Sequence, residues 1–166
     1  MRLGKKGHLR LADHPFDYSR LGIAPDEIAE FEDGQRIGTE RGQYEWWYFD
    51  AHLENGATVV VVFYTKPNVS PNGPLAPRVT INITLPDGRT FDKLLDTKPE
   101  LFKASKSGCD VRIGTNRFAG DLKDYRITAT IEEISVDIEL TGDVPSWRPK
   151  SGHSYFGVEG LEELFA

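Results

Sequence analysis

The feature that most constrains the fold of this chain is a predicted β-hairpin centred on Asn55 and Gly56. This dipeptide accepts the positive φ angles of a two-residue type I′ turn, and it separates two runs rich in aromatic and β-branched residues, EWWYFDAHL and ATVVVVFYT. A two-residue turn fixes the register, so the sequence predicts that Asp50 faces Val61. The chain is therefore expected to begin its folded core with an antiparallel pair of strands.

The two faces of the predicted hairpin differ in character, because side chains alternate along a strand. One face is interpreted as core and holds Trp47, Phe49, Ala51 and Leu53 of the first strand with Val60, Val62 and Tyr64 of the second. The other face is also largely apolar but includes an acid and an imidazole; it holds Trp46, Tyr48, Asp50 and His52 with Val59, Val61 and Phe63. A sheet that is apolar on both faces has to be covered on both, which favours a second sheet or the far wall of a barrel.

Downstream segments repeat the strand pattern and predict an all-β, antiparallel fold. Around eight short strands joined by turns are expected, among them RVTINITL, DYRITATIE and ISVDIELTG, and they indicate a barrel or a sandwich. KPNVSPNGPLAP, residues 66–77, contains four prolines and is interpreted as a long loop, with a lid over one end as its hypothetical role. The predicted organisation is an irregular arm over 1–40 with one short helix at 25–33, a β domain over 41–158, and a tail or the start of a linker over 159–166.

Composition narrows the classes of partner and location. The formal net charge of -6 disfavours nucleic acid and anionic membrane surfaces, both of which reward a basic face. No segment approaches the ~20 apolar residues of a membrane span, and the N-terminus has no apolar stretch of signal-peptide length. The lone Cys109 excludes an internal disulfide and fits a reducing compartment, and the four histidines lack metal-ligand spacing. We expect a soluble cytoplasmic protein with neither cofactor nor metal.

Several motifs carry a resemblance to a known family. EWWYFDAHLENG and its valine-rich strand, followed by NRFAGDLKDYRITATIE, VDIELTGDVPSWRP and GHSYFG, resemble the first half of the hydroxyneurosporene synthase (carotenoid hydratase) family of lipocalin-like proteins. The resemblance runs from about Gly34 to Phe156 and is most specific in EWWYF. It implies a lipocalin-like β-barrel, or half of a two-barrel protein, whose interior takes long apolar molecules such as isoprenoids or polyketide chains.

The resemblance assigns no catalytic residue to this chain. Family members usually carry two barrel-like halves, and the acids that the hydratases use lie largely in the second. The sequence ends at VEGLEELFA, where a second half would begin. One half acting alone, a half that pairs with another chain, and a piece of a longer protein are three alternatives that the sequence does not separate.

The residues themselves suggest where hydratase chemistry would be located. Hydration of a C=C bond requires a proton donor, stabilisation of a carbocation and a held water. The predicted catalytic pair is Asp50 and His52, because apolar neighbours on their face are expected to desolvate Asp50 and keep it protonated. Tryptophan faces supply cation–π stabilisation, and the predicted ligand-binding residues are Trp46, Tyr48, Tyr64, His153 and Tyr155. Plain packing, or an ion pair at a barrel mouth, is the alternative interpretation.

Three functions therefore compete at the level of sequence. The first is an enzyme of the hydro-lyase type, or a related one, that acts on an isoprenoid or polyene. The second is a non-catalytic carrier of an apolar small molecule. The third is an interaction domain completed by a second chain or a homodimer. The favoured prediction is a lipocalin-like domain that binds a hydrophobic small molecule, with hydratase-type chemistry on a C=C bond.

Overall fold

The computed structural model describes residues 8–157 and 163–165. Strands dominate these residues, and every strand pair is antiparallel, which confirms the all-β prediction. The strands are β1 (His8–Leu11), β2 (Trp46–His52), β3 (Thr58–Tyr64), β4 (Arg78–Thr84), β5 (Thr90–Asp96), β6 (Phe102–Ala104), β7 (Cys109–Ile113), β8 (Asn116–Gly120), β9 (Asp124–Ile131), β10 (Ile134–Thr141), β11 (Ser154–Gly157) and β12 (Glu163–Phe165). The α-helix α1 spans Pro15–Leu21, and 3₁₀ turns span Glu30–Asp33 and Pro99–Leu101.

The chain forms two compact units. The terminal unit consists of Met1–Ala29 with Ser146–Ala166, and the central unit is Glu30–Pro145. This division differs from the predicted boundaries after residues 40 and 158, because both ends of the chain contribute strands to one sheet. Of the predicted tail over 159–166, only β12 falls within the described residues.

The terminal unit is a three-stranded sheet, in the order β1-β11-β12, with α1. The predicted helix at 25–33 is wrong: the helix lies at Pro15–Leu21, and Glu30–Asp33 forms only a 3₁₀ turn. Pro15 suits the first helical position because its missing N–H would have no partner there. The Asp17 carboxylate accepts the backbone N–H of His14 at 3.1 Å and caps the same end. The segment predicted as a helix carries a similar start signal, Pro25 followed by acidic residues, so this signal alone did not distinguish the two segments.

The central unit consists of two antiparallel meanders. One has the order β2-β3-β4-β5 and the other β10-β9-β8-β7-β6. Their inward side chains form one core, built from Trp47, Val59, Val61, Phe63, Val79 and Ile81 of the first sheet and Cys109, Val111, Ile113, Phe118, Ile127, Ala129 and Ile131 of the second. Neither sheet closes into a barrel within the described residues, so the arrangement there is an open pair of sheets, with β2 and β10 as edge strands.

The register of the first hairpin differs by one residue from the prediction. Leu53 N–H donates to the Ala57 carbonyl at 2.8 Å, so Glu54 joins Asn55 and Gly56 in a three-residue loop, and Gly56 adopts φ 82°. Asp50 consequently pairs with Val60 rather than Val61. A one-residue slip exchanges the faces of β3, so the core receives Val59, Val61 and Phe63 and the outer face receives Val60, Val62 and Tyr64. The predicted core positions Trp47, Phe49 and Ala51 of β2 are confirmed, whereas Leu53 is exposed.

Candidate functional site

A cavity of about 260 Å³ lies in the central unit, beside the edge strand β2. Its walls are mainly aromatic, since β2 contributes the run from Trp46 to Phe49 and the facing sheet contributes Phe118 and Tyr125. Aliphatic side chains from β9 and β10 complete the apolar lining. Asp33, at the end of the first 3₁₀ turn, is the one carboxyl group in this lining.

Asp33 and Tyr125 form a half-buried acid pair in the cavity wall. The Tyr125 hydroxyl donates a hydrogen bond to Asp33 Oδ2 at 2.5 Å. Burial raises the pKa of Asp33 above its ordinary value, and the hydrogen bond from Tyr125 and the nearby Cys109 thiol, which stabilise the carboxylate, offset only part of that effect. Burial, reinforced by the nearby Asp33 carboxylate, also raises the pKa of both Tyr125 and Cys109. The environment therefore favours the protonated forms of all three groups.

The backbone around Asp33 is held from two sides. Trp47 Nε1–H donates to the Asp33 carbonyl at 3.2 Å, which ties the 3₁₀ turn to β2. The next residue, Gly34, is buried so closely against the loop after β6 that an added Cβ would lie 3.0 Å from the backbone carbonyl oxygen of Ser105. Gln35 N–H donates to that same carbonyl at 2.7 Å. These contacts fix the position from which the Asp33 carboxyl enters the cavity wall.

The ring of Tyr125 is positioned by its neighbours on the five-stranded sheet. Gly120 pairs with Tyr125 across β8 and β9, and an added Cβ at Gly120 would collide with the tyrosine ring. Phe118 packs edge-on against the same ring, with 6.2 Å between the ring centroids. A glycine beneath a cross-strand aromatic lets the ring lie flat over the sheet, and here that placement brings the hydroxyl to Asp33.

The sequence-predicted site residues on β2 divide into two groups. Trp46 and Tyr48 border the cavity at the edge strand, but their side chains alternate with those of Trp47 and Phe49 and are about half exposed on the outer face. Asp50 and His52 are exposed on the outer face and are not part of the lining, so the apolar enclosure predicted for Asp50 is absent. Tyr64 pairs with Trp46 on the same face and is half-buried outside the lining.

Tyr48 and Asp50 form a second tyrosine and aspartate pair, on the solvent side of β2. Desolvation, followed by the neighbouring Asp50 carboxylate, raises the pKa of Tyr48. The tyrosine is nevertheless 53% exposed. Water therefore reaches this pair in a way that it does not reach Asp33.

His153 and Tyr155 belong to the terminal unit. His153 Nδ1 lies 2.7 Å from the carbonyl oxygen of Ser151. Tyr155 is 1% exposed, and the guanidinium groups of Arg10 and Arg20 lie 4.7 and 5.0 Å from its ring centroid. The Tyr155 hydroxyl has no hydrogen-bond partner among the described residues. Tyr155 is thus buried beside two guanidinium groups of the terminal unit, and His153 contacts Ser151.

Sequence reasoning missed Asp33 and Tyr125 as site residues. Tyr125 carried a partial signal, because the period of two in DYRITATIE placed it on the inward face with Ile127. Asp33 carried almost no signal of a site residue, since it is one of several acidic residues in PDEIAEFED. The glycine that follows it marks the end of the turn but does not indicate a cavity.

Three further findings concern a membrane span, a metal site and similar proteins. None of the helices in the described part of the chain is long and apolar enough to cross a membrane. Those residues also contain no group of three or more side chains arranged to hold a metal ion. Comparison of the chain with protein-family models, curated proteins and solved structures gave no match.

Proposed function

We propose that the central unit binds one end of an unsaturated apolar chain, such as an isoprenoid or polyene, in the aromatic cavity and hydrates a C=C bond there. The observation that carries the proposal is the Asp33 carboxyl, whose pKa is raised by burial in an aromatic-walled cavity and which is bonded by Tyr125. The sequence resemblance to carotenoid hydratases supports the same class of substrate. Asp33 here takes the acid's role that the sequence suggested for Asp50.

The volume of the cavity determines how much of the ligand it would enclose. Sites that enclose a whole drug-sized ligand have volumes of about 300 to 1,000 Å³. The cavity of about 260 Å³ is slightly smaller than that range, so it fits the terminal segment of a long chain. Trp46 and Tyr48 border the cavity and are also exposed. They would contact the part of the chain that extends towards solvent.

In the proposed hydration, each charge that forms is stabilised by a group in the cavity wall. A protonated Asp33 transfers its proton to one carbon of the double bond, and the π electrons form the new C–H bond. The other carbon becomes a carbocation, which aromatic faces in the wall stabilise. Water adds its oxygen to that carbon and releases a proton, which restores the acid. The hydrogen bond from Tyr125 stabilises the Asp33 carboxylate that forms in between, so it favours proton transfer.

The test uses whatever co-purifies with the protein, and geraniol and farnesol as defined isoprenoid probes. Quenching of tryptophan fluorescence measures binding, and mass spectrometry after incubation in ¹⁸O-labelled water measures turnover. We expect saturable binding and a product heavier by one labelled water. Binding without a mass change supports the carrier function instead, and the absence of binding by all of these molecules contradicts both.

An interaction domain is the second candidate, and the outer face of the four-stranded sheet favours it. Trp46 is 49% exposed, Tyr48 53% and Leu94 51%. The register places Leu94 on the same cross-strand row as Tyr48. An exposed apolar patch of this kind is typical of a surface that another chain covers. Sedimentation velocity tests this candidate, because a monodisperse monomer over a wide concentration range contradicts self-association.

A further inference from the structure

Lys66 is buried in a setting that is unusual for a charged side chain. Its relative exposure is 0%, and Nζ lies 2.8 Å from the carbonyl oxygen of Thr39, 2.9 Å from that of Glu40 and 2.9 Å from that of Gly73. The carbonyl oxygen of Pro71 lies 3.4 Å away. We call these four oxygens the carbonyl cage.

The carbonyl cage compensates a buried charge without a carboxylate. Buried lysines are normally paired with an acid, because desolvation of an ammonium group is costly. Here all four hydrogen-bond contacts of Nζ are to backbone oxygens. An ammonium group has three N–H donors, so the cage offers one more acceptor than it can use at a time. Rings of backbone carbonyls are also what potassium channels use to replace the hydration shell of K⁺.

The carbonyl cage is also the point where two loops meet. Thr39 and Glu40 belong to the segment that leads into β2, whereas Pro71 and Gly73 belong to the proline-rich loop over 66–77. The Gly42 N–H also donates to the Pro71 carbonyl at 2.9 Å. The loop suggested as a lid is therefore tied down at its middle by a cation, next to the segment that carries Trp46 and Trp47 into the cavity wall.

We propose that the carbonyl cage is a binding site for a monovalent cation of the ammonium type, which the Lys66 side chain occupies in the wild-type chain. Removal of the side chain leaves four carbonyl dipoles directed at an empty position. A free ammonium or alkylammonium ion then fills the site and restores the junction of the two loops. This inference is independent of the proposed hydratase function, since its primary readout is thermal stability.

The test is chemical rescue of Lys66→Ala. We expect its melting temperature to fall by roughly 10 °C, because the carbonyls lose a charged partner in a buried site. The n-propylammonium ion reproduces the atoms that this substitution removes, so it should recover most of the loss in a saturable manner. Ammonium should recover part of the loss. Tetramethylammonium at equal ionic strength should recover none, because it has no N–H donor, and neutral 1-propanol should also fail.

Lys66→Met is the matched control, because its side chain fills the same space without a charge. It should be destabilised and should not respond to n-propylammonium. A Met variant as stable as the wild type overturns the proposal, as does rescue of the Ala variant by tetramethylammonium to the same extent. If Lys66→Ala is recovered unfolded, refolding from denaturant replaces melting as the readout. Selective refolding in n-propylammonium supports the site, whereas equal refolding in both salts, or in neither, contradicts it.

Discussion

Two tyrosine and aspartate pairs flank the same strand, and they differ mainly in access to water. Tyr125 and Asp33 meet in the cavity wall, where both are half-buried and burial raises the pKa of the carboxyl. Tyr48 and Asp50 lie on the solvent side of β2, where both are exposed. Both pairs consist of the same residue types, and β2 contributes to the surroundings of each pair. Residue type alone therefore does not distinguish a candidate general acid from an exposed aspartate.

Tertiary contacts account for the difference between the two pairs. Asp33 and Tyr125 are 92 residues apart in sequence, and the apolar surroundings of Asp33 come from both sheets. Asp50 and Tyr48 are close in sequence, and their surroundings come from the outer face of one sheet. Desolvation requires neighbours on several sides. The outer face of β2 provides fewer of them, since Tyr48 there is 53% exposed.

The largest expected effect is on turnover, and it tests the comparison directly. Asp33→Asn keeps the acceptor for Tyr125 but removes the transferable proton, so hydration should fall by about 10²- to 10⁴-fold. Asp50→Asn is the matched control and should leave the rate within about twofold, since Asp50 is outside the cavity lining. Turnover of the co-purified ligand or farnesol in labelled water measures both. The reverse pattern would return the acid's role to Asp50, as the sequence first suggested.

The adjacent tryptophans of β2 provide the next test, on stability. Trp47 is 6% exposed and belongs to the core, so Trp47→Ala should lower the free energy of unfolding by about 3 to 5 kcal/mol. Trp46 is 49% exposed and stacks on Tyr44, so Trp46→Ala should cost about 1 kcal/mol or less. Urea unfolding of both variants measures the difference. Equal losses would mean that the two faces of β2 are wrongly assigned.

The alternation of side chains made part of this architecture predictable. It identified the strands of the central unit and the inward positions Trp47 and Phe49, because a period of two depends only on local geometry. The register of β3 was not predictable to one residue, since a three-residue loop that includes Glu54 fits the same turn dipeptide. Asp33 and the carbonyl cage around Lys66 depend on contacts between distant loops, which no local pattern encodes.

A smaller effect is expected when Tyr125 is displaced from Asp33 without a change in either residue. Gly120→Ala introduces a Cβ that collides with the Tyr125 ring, so we expect a loss of about 1 to 3 kcal/mol in the free energy of unfolding. The control is the same substitution in a Tyr125→Ala background, where the collision is absent and the added cost should be small. Urea unfolding of the four proteins gives the coupling between the two positions. A coupling near zero would show that Gly120 does not position the tyrosine.

The smallest expected effect is the pH dependence of stability that the Asp33 carboxyl causes. Because burial raises the pKa of Asp33 in the folded state, its contribution to stability is fully present below the unfolded pKa of about 3.9. That contribution is lost as the pH rises through the higher folded pKa. Asp33→Asn removes this dependence, so the variant should gain stability relative to the wild type as the pH rises above the unfolded pKa of about 3.9, which urea unfolding at a series of pH values measures.

Tyr125→Phe should change the pH dependence of stability in the opposite direction to Asp33→Asn, again through the Asp33 carboxyl. It removes a hydrogen bond that lowers the pKa of Asp33, so the folded pKa should rise further and the loss of stability with pH should become larger. In the Asp33→Asn background the tyrosine substitution should leave the pH dependence unaltered, because the titrating group is gone. A pH profile of Asp33→Asn parallel to that of the wild type would contradict the raised pKa of Asp33.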